Sequence, residues 1–354
     1  MKAQIAVLAG DGIGPEVIAE GLRCLRRVSQ VFGHQITITE LPFGGAAIDL
    51  TGDPLPPTTL QGCLAADAVL LGAIGGPKWS DPGAQVRPEQ GLLRLRQELG
   101  VYANLRPVRV HPALFAVSTL RAEVLEGVDL IFVRELTGGI YFGSKQRDST
   151  RATDVCTYTV GEIERIARVA ARLARARRRR LTSIDKANVL ETSRLWREVT
   201  TRVVQNEFPD ITLDHSLVDS AAMHLIRRPR DFDVLVTENM FGDILTDEAS
   251  MLSGSLGLLP SASLGVGKRG LYEPIHGSAP DIAGRGIANP CGTILSVAML
   301  LRYSLELTRE AAALEAAVTR AVESGTRTPD IAAQGTSTVS TRGMGDAILA
   351  NILT

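Results

Sequence analysis

Short apolar runs alternate along this chain with stretches of helical periodicity, and that alternation constrains its fold more than any other feature. Residues 4–9, 36–41, 67–73, 128–134, 181–185 and 234–237 read as strands. Helical patterns separate them, notably one running to about Phe32 and one from 162 to 180. Strands that alternate with helices indicate an α/β fold with helices layered on a sheet. In such sheets ligands collect at the C-terminal edge of the strands. The last run of the middle region ends in Thr237-Glu-Asn-Met-Phe-Gly-Asp-Ile-Leu-Thr-Asp-Glu248. If that segment is helical, Asp243 and Asp247 project from one face, one turn apart. Two like charges held so repel, and a cation between them relieves the repulsion. Oxygen-only ligands suit Mg2+ or Mn2+. A third carboxylate, Asp219, lies one strand earlier.

Composition narrows the class. The chain has 354 residues, 45% apolar and 22% charged, as in an ordinary globular protein of one large or two smaller domains. The net charge of −1 favours neither nucleic acid nor an anionic membrane as partner. Cys24, Cys63, Cys156 and Cys291 are too scattered for a zinc or redox motif. No apolar run reaches the ~18–20 residues of a membrane span. No signal peptide precedes the first strand, so a cytoplasmic enzyme is expected.

After 251 the chain reads as glycine-rich loops, then helices near 291–305 and 309–324 and a last one from Gly345. The polar stretch near 143–158 reads as a hairpin or arm that packs on another subunit. The arginines from Arg175 to Arg180 finish the preceding helix, where cations meet the negative end of its dipole.

Several groups of residues carry chemistry. Gly10-Asp-Gly-Ile-Gly-Pro-Glu16 follows the first strand. Its third glycine comes one residue early for a Rossmann fingerprint, so it reads as a backbone turn beside a ligand. Arg96, Arg106 and Arg134 are three forks suited to carboxylates, and together they fit a dicarboxylate. Taken singly, each is equally a surface ion pair. Tyr141 follows a Gly-Gly turn and Lys186 follows a strand, a candidate proton donor and base. Glu273-Pro-Ile-His-Gly-Ser-Ala-Pro-Asp-Ile-Ala-Gly284 and the nearby Asn289 form a small-residue loop that a ligand could approach closely. Asp281 there suits two ribose hydroxyls.

Taken together, these segments resemble the metal-dependent β-decarboxylating dehydrogenases, which include isocitrate, homoisocitrate, tartrate/D-malate and 3-isopropylmalate dehydrogenases. The resemblance covers nearly the whole chain, from Gly-Asp-Gly-Ile-Gly-Pro-Glu-Val through Phe43-Gly-Gly-Ala-Ala-Ile-Asp to Met344-Gly-Asp-Ala-Ile. It implies a two-domain α/β fold with a large mixed sheet flanked by helices, not a Rossmann fold. The first, cofactor-side domain would join 1–100 with 253–354. The second, 101–252, would hold the dimer interface and the inter-subunit arm.

Arg87-Pro-Glu-Gln-Gly-Leu-Leu-Arg-Leu-Arg96 is similar to the substrate-recognition segment of the branch acting on 3-isopropylmalate. Isocitrate-specific relatives carry small polar residues there. Leu92 and Leu93 would offer an isopropyl group an apolar wall, worth roughly 1.5–3 kcal/mol on full burial. A carboxylate at that place would lack a partner. The resemblance places Glu89 beside this wall.

By the same resemblance, Arg96, Arg106 and Arg134 hold the substrate carboxylates. Asp219, Asp243 and Asp247 ligate Mg2+ or Mn2+, with Asp219 also near the substrate. Ile13, Glu273, His276, Gly277, Ser278, Ala279, Asp281 and Asn289 bind NAD, and Asp281 would repel the extra phosphate of NADP. Lys186 takes the proton of the 2-hydroxyl, and Tyr141 returns one to C3 after CO2 leaves. Lys186 and Asp219 reach into the neighbouring subunit's site, which implies a homodimer. The expected reaction is the NAD-dependent oxidative decarboxylation of 3-isopropylmalate in leucine biosynthesis. Its rivals are a sister activity on D-malate or tartrate and a non-catalytic regulatory subunit. Regulatory subunits of this fold often lose a metal ligand, the tyrosine or the lysine, and all of these are present here.

Overall fold

A computed structural model of the chain describes residues 1–81 and 83–353. The chain divides into two compact units, Met1–Val101 with the segment from Gly254 onward, and Tyr102–Ser253.

The first unit begins with β1 (Lys2–Gly10), α1 (Gly14–Phe32), β2 (Gln35–Glu40), α2 (Gly44–Thr51), α3 (Pro57–Ala65), β3 (Ala68–Ala73) and α4 (Pro88–Glu98). The second unit follows with β4 (Ala103–Arg109), α5 (Ala122–Leu125), β5 (Asp129–Glu135), β6 (Lys145–Arg147), β7 (Ala152–Asp154), α6 (Val160–Arg175) and β8 (Arg180–Asp185). It continues through α7 (Glu191–Glu207), β9 (Thr212–Leu217), α8 (Val218–Arg227), β10 (Val234–Thr237) and α9 (Asn239–Ser250). The chain then returns to the first unit with β11 (Pro260–Leu264), β12 (Gly270–Pro274), α10 (Cys291–Tyr303), α11 (Thr308–Glu323) and α12 (Thr341–Ala350).

In the first unit the strands run in the order β2-β1-β3-β12-β11. The first four are parallel to their neighbours, and β11 is antiparallel to β12. β3 is buried at every position, as a central parallel strand covered on both faces must be. α1 starts with Pro15 in its first turn and Glu16 beside it, and ends at Gly33 in the left-handed conformation. The turn before α1 needs its glycines. Gly10 and Gly12 have φ of +73° and +57°, and a Cβ on Gly10 would strike the carbonyl of Ala73.

In the second unit the order is β4-β5-β10-β8-β9, with only β4 antiparallel to its neighbour. Register aligns the C-terminal ends of the parallel strands: Thr237 lies opposite Arg134 and Ile184, and Asp185 opposite Leu217. The residues that leave this edge are the ones the sequence singles out. β6 and β7 form an exposed two-stranded hairpin within the polar 143–158 stretch.

Three expectations need correction. The helix expected over 162–180 is α6, which ends at Arg175. Its N-terminus is fixed by a reciprocal Thr159–Glu162 capping box, and Ile163, Ile166, Ala167, Ala170, Ala171 and Ala174 make its buried stripe. Its end is decided by partners outside the helix. Arg177 donates to Asp129 and Asp233, both at 2.8 Å, Arg178 to the carbonyl of Phe232, and Arg175 to Asp210. The backbone reverses through Arg179 at φ +59°, and Arg180 already belongs to β8. The loops expected after 251 contain the antiparallel pair β11–β12; the Ser-Ala-Ser run of β11 shows no strand period. The last helix starts four residues before Gly345, at Thr341. β4, which carries Arg106, and β9 were not read as strands from sequence.

Candidate active site

In the second unit the site is built on Arg134. This residue is 2% exposed and emerges near the end of β5. A guanidinium so buried needs its donors fixed. Asn239 Oδ1 accepts from Nε at 3.0 Å and from Nη2 at 2.8 Å, and Asp243 accepts from Nη1. Gly242 makes the approach possible, because a Cβ there would lie 2.8 Å from Arg134 Cγ. Asn239 is in turn anchored: its Nδ2 donates to Gly138 O at 3.1 Å and its N–H to Tyr158 Oη at 2.9 Å. Glu238 caps α9 by accepting from Phe241 N at 2.7 Å, and also accepts from Tyr158 Oη at 3.1 Å.

α9 therefore leaves the sheet edge at a fixed angle and presents Asp243 and Asp247 one turn apart. Tyr141, in a short 3-10 turn after Gly138–Gly139, donates its hydroxyl to Asp243 Oδ2 at 2.8 Å. Arg134 also lies over the Tyr141 ring, 5.8 Å from its centroid. Arg106, on β4, is pinned by Asn104 Oδ1 at 2.8 Å and Thr246 Oγ1 at 2.6 Å. Its charge stands 3.8 Å from Asp243 and 3.5 Å from Asp247.

These contacts set protonation. Burial pushes the Tyr141 hydroxyl up to about 12, aided by its bond to Asp243 and by that carboxylate's charge, so it keeps its proton near neutrality. Burial works against the charged form of Asp243. The Arg134 charge, the Tyr141 hydrogen bond and Arg106 outweigh it and hold the carboxyl below its usual range. The Asp247 carboxyl is pushed up by partial dehydration and by Asp243, with Arg106 opposing. Hard oxygen donors carrying this like-charge strain fit a divalent cation.

Lys186 follows β8, and Asp219 lies in the first turn of α8, after β9. Their side chains pair at 2.8 Å, which holds Asp219 below its usual range. Asp185, 1% exposed, fixes this turn by accepting from Ala187 N at 2.9 Å and from both arms of Arg197 at 2.8 and 2.9 Å. Asp219 does not join Asp243 and Asp247 within the chain. Among the described residues no three His, Cys, Asp or Glu side chains are gathered to hold a metal ion.

In the first unit, α4 places Glu89, Leu92, Leu93 and Arg96 on one face at helical spacing. The two leucines differ. Leu92 packs against the core cluster containing Phe43, Leu55 and Leu95, whereas Leu93, also half-buried, is not part of it. Arg96 donates to Glu273 at 2.8 Å, so this arginine is tied to the start of the 273–289 segment. Glu89 Oε1 lies close to Gly75, whose N–H is taken by Asp11 at 2.8 Å.

The 273–289 segment folds over the Gly10–Glu16 turn. Ile13 N donates to Ser278 O at 2.9 Å, and Ala279 adopts φ +40°. His276 is oriented by Nδ1 against Gly277 O at 3.0 Å, while its Nε2 is buried and has no hydrogen-bond partner among the described residues. Burial disfavours the charged ring. A neutral imidazole donating through Nδ1 leaves Nε2 as an acceptor. Gly277 and Asp281 are exposed, and Asn289 is buried with Nδ2 on Asp330 at 3.0 Å. These residues fit a dinucleotide.

Comparison with known proteins agrees with this geometry. Residues 4–348 match the family described as isocitrate/isopropylmalate dehydrogenase. The chain belongs to that family and has its α/β fold. Its relatives include proteins named 3-isopropylmalate dehydrogenase. The one from Rhodopirellula baltica is 57% identical, and the one from Anaeromyxobacter dehalogenans 59%, each over 99% of both chains. Among solved structures, the isocitrate dehydrogenase of Methylococcus capsulatus is 35% identical with a TM-score of 0.88, covering 99% of both chains. A β-decarboxylating dehydrogenase of Thermococcus kodakarensis is 37% identical with a TM-score of 0.80, over 99% of this chain and 96% of that one.

Sequence reasoning missed Asn239, Asn104, Tyr158, Glu238 and Asp185. Asn239 and Glu238 stand just before the Asp243–Asp247 pair, in the same 237–248 segment, and that position was the available signal. Tyr158 carried none, because its partners Glu238 and Asn239 lie far away in sequence. Asn104 stands two residues before Arg106, on a strand whose period Pro107 hides.

Proposed function

We propose that this chain catalyses the NAD-dependent oxidative decarboxylation of (2R,3S)-3-isopropylmalate to 4-methyl-2-oxopentanoate, a step in leucine biosynthesis. The observation that carries this reading is the name shared by relatives 52–59% identical over nearly the full length. The apolar Leu92–Leu93 pair on α4 supports the same substrate. Among the described residues no helix is long and apolar enough to cross a membrane, and we assign the enzyme to the cytoplasm.

When bound, NAD+ would supply the hydride acceptor and Mg2+ or Mn2+ the Lewis acidity for the oxidation at C2. Asp243 and Asp247 would hold the cation, with Asp219 contributed by a second subunit. Ile13, Glu273, the 276–279 run, Asp281 and Asn289 would hold the dinucleotide. The chain's own groups do the rest. Arg96, Arg106 and Arg134 bind and orient carboxylates, the last two through forks already aligned by Asn104 and Asn239. Lys186 removes the proton of the 2-hydroxyl. Loss of CO2 leaves C3 in need of a proton. Tyr141 supplies it, and its raised hydroxyl keeps that proton available.

The chain acts as a homodimer in this reading. Met223 and Ile226 on α8 and Ile244 on α9 are 61%, 41% and 61% exposed, more apolar surface than adjacent helices leave to water without reason. Light scattering should give twice the 37.8 kDa of one chain.

The test of function is NADH production with Mg2+, comparing 3-isopropylmalate with D-malate, isocitrate and tartrate by kcat/KM. A preference of ~100-fold or more is expected of an apolar pocket worth a few kcal/mol. Equal or better turnover of D-malate would move the assignment to a generalist malate oxidase.

A further inference from the structure

Between Gly284 and Ala288 the 276–289 segment is held by its backbone, from two helix starts. Glu16, in the first turn of α1, accepts the N–H of Gly284 and, at 3.0 Å, that of Gly286. Both glycines are left-handed, at φ +77° and +63°, and the chain reverses at Arg285 between them. From the other side Thr341, the first residue of α12, gives its N–H to Gly286 O at 2.8 Å and its hydroxyl to Ala288 O at 2.6 Å. Gly286 is thus gripped at both ends of one residue, its N–H by Glu16 and its carbonyl by Thr341. Underneath, Ile13 and Val17 pack against Ala279, Ile282, Ala283 and Ala288.

Two glycines with no Cβ contact within 4 Å have little of their own to fix their dihedrals. The Glu16 carboxylate fixes their N–H groups, while the Thr341 N–H fixes the Gly286 carbonyl and its hydroxyl the Ala288 carbonyl two residues on. A carboxylate that accepts two backbone N–H groups makes charge-assisted bonds, stronger than those water offers the same groups.

We propose that Glu16 and Thr341 are positioning residues that set dinucleotide affinity by clamping this segment in its binding-competent shape. The proposal rests on reading the segment as the NAD site. Without the clamp the segment samples shapes that do not bind, and apparent affinity falls by the competent fraction. A fall of that fraction to a tenth weakens binding about tenfold. Turnover at saturating dinucleotide stays the same, because neither residue bears on the reacting atoms.

The experiment is a fluorescence titration of the full-length protein with NADH in the presence of Mg2+. Wild type, Glu16→Ala, Glu16→Gln and Thr341→Val are compared, and kcat is measured at saturating NAD+. Glu16→Ala, which frees both glycine N–H groups, should raise the Kd about tenfold, and Thr341→Val, which keeps its N–H on Gly286 O and loses only the hydroxyl bond to Ala288 O, about threefold or more. Glu16→Gln, which keeps one acceptor, should fall between, with kcat and the KM for the hydroxy acid within about twofold of wild type. A Kd within twofold of wild type in both Glu16→Ala and Thr341→Val overturns the clamp, even if the melting temperature drops. If Glu16→Ala does not fold, Thr341→Val decides alone. A wild-type protein that shows no saturable NADH binding overturns the NAD reading itself, and the same titration reveals it.

Discussion

Asn239 offers the sharpest test of how this active site is held. Its Oδ1 accepts two N–H groups of Arg134, a guanidinium 2% exposed, and its Nδ2 serves Gly138 O. Asn239→Leu keeps the size of the side chain and removes both acceptor bonds. Each buried donor left unpaired costs about 1–3 kcal/mol, so the substitution should cost about 2–4 kcal/mol, part of it recovered by relaxation. The loss falls on the β5–β10 ladder, where Val133 and Val236 are register partners. Their amide hydrogens report it by native-state exchange, which should quicken about 30- to 1000-fold. Arg134→Met removes those N–H donors but also takes the guanidinium from Asp243, so it serves as the background: adding Asn239→Leu to Arg134→Met should change exchange by less than about tenfold, because the donors it would orphan are already gone. Exchange unchanged in Asn239→Leu, or the same acceleration when Asn239→Leu is added to Arg134→Met, would refute the reasoning.

Other outcomes are expected from the same geometry. Lys186→Ala should lower kcat by about 10²–10⁴-fold with an unchanged circular dichroism spectrum, and a near-wild-type rate would remove its role as base. Leu93→Ala should lower kcat/KM for 3-isopropylmalate by about 10-fold or more, while Leu92→Ala should also lower thermal stability, because Leu92 packs on the core. Dialysis against EDTA should abolish turnover and Mg2+ or Mn2+ restore it, whereas activity surviving EDTA would deny Asp243 and Asp247 their cation. His215 is held below its ordinary value by burial and by the Arg197 charge. The unfolded chain therefore binds the extra proton first, so this residue's stability contribution is full above about pH 6.5 and is lost as pH falls toward the folded value. His215→Gln should show a smaller drop in urea midpoint between pH 7 and 5.5 than wild type, and an identical drop would exclude this residue.

Much of the molecule was legible before any coordinates. Fully apolar strands such as Ala68–Ala73 announce themselves, because a parallel strand covered on both faces tolerates little else. The Asp243–Asp247 spacing, the arginines and the Gly10–Glu16 turn were equally plain, each being a local pattern. Strands made of small or mixed residues were not. Pro260–Leu264 alternates serine with alanine, and Ala103–Arg109 carries a proline, so neither shows a strand period.

The sequence by itself marked out the candidate residues for the chemistry and determined which class of fold displays them, because strand periodicity, turn glycines and charge spacing are local properties. Only the tertiary structure decided what holds those residues still. Asn239 on Arg134, Asp185 on Arg197 and Glu16 on the Gly284–Gly286 backbone are contacts between groups brought together by packing. The end of α6 belongs to the same class, since carboxylates at 129, 210 and 233 draw its arginines away from the helix. A buried donor takes whichever acceptor the fold places within reach, and a one-dimensional pattern carries no record of that choice.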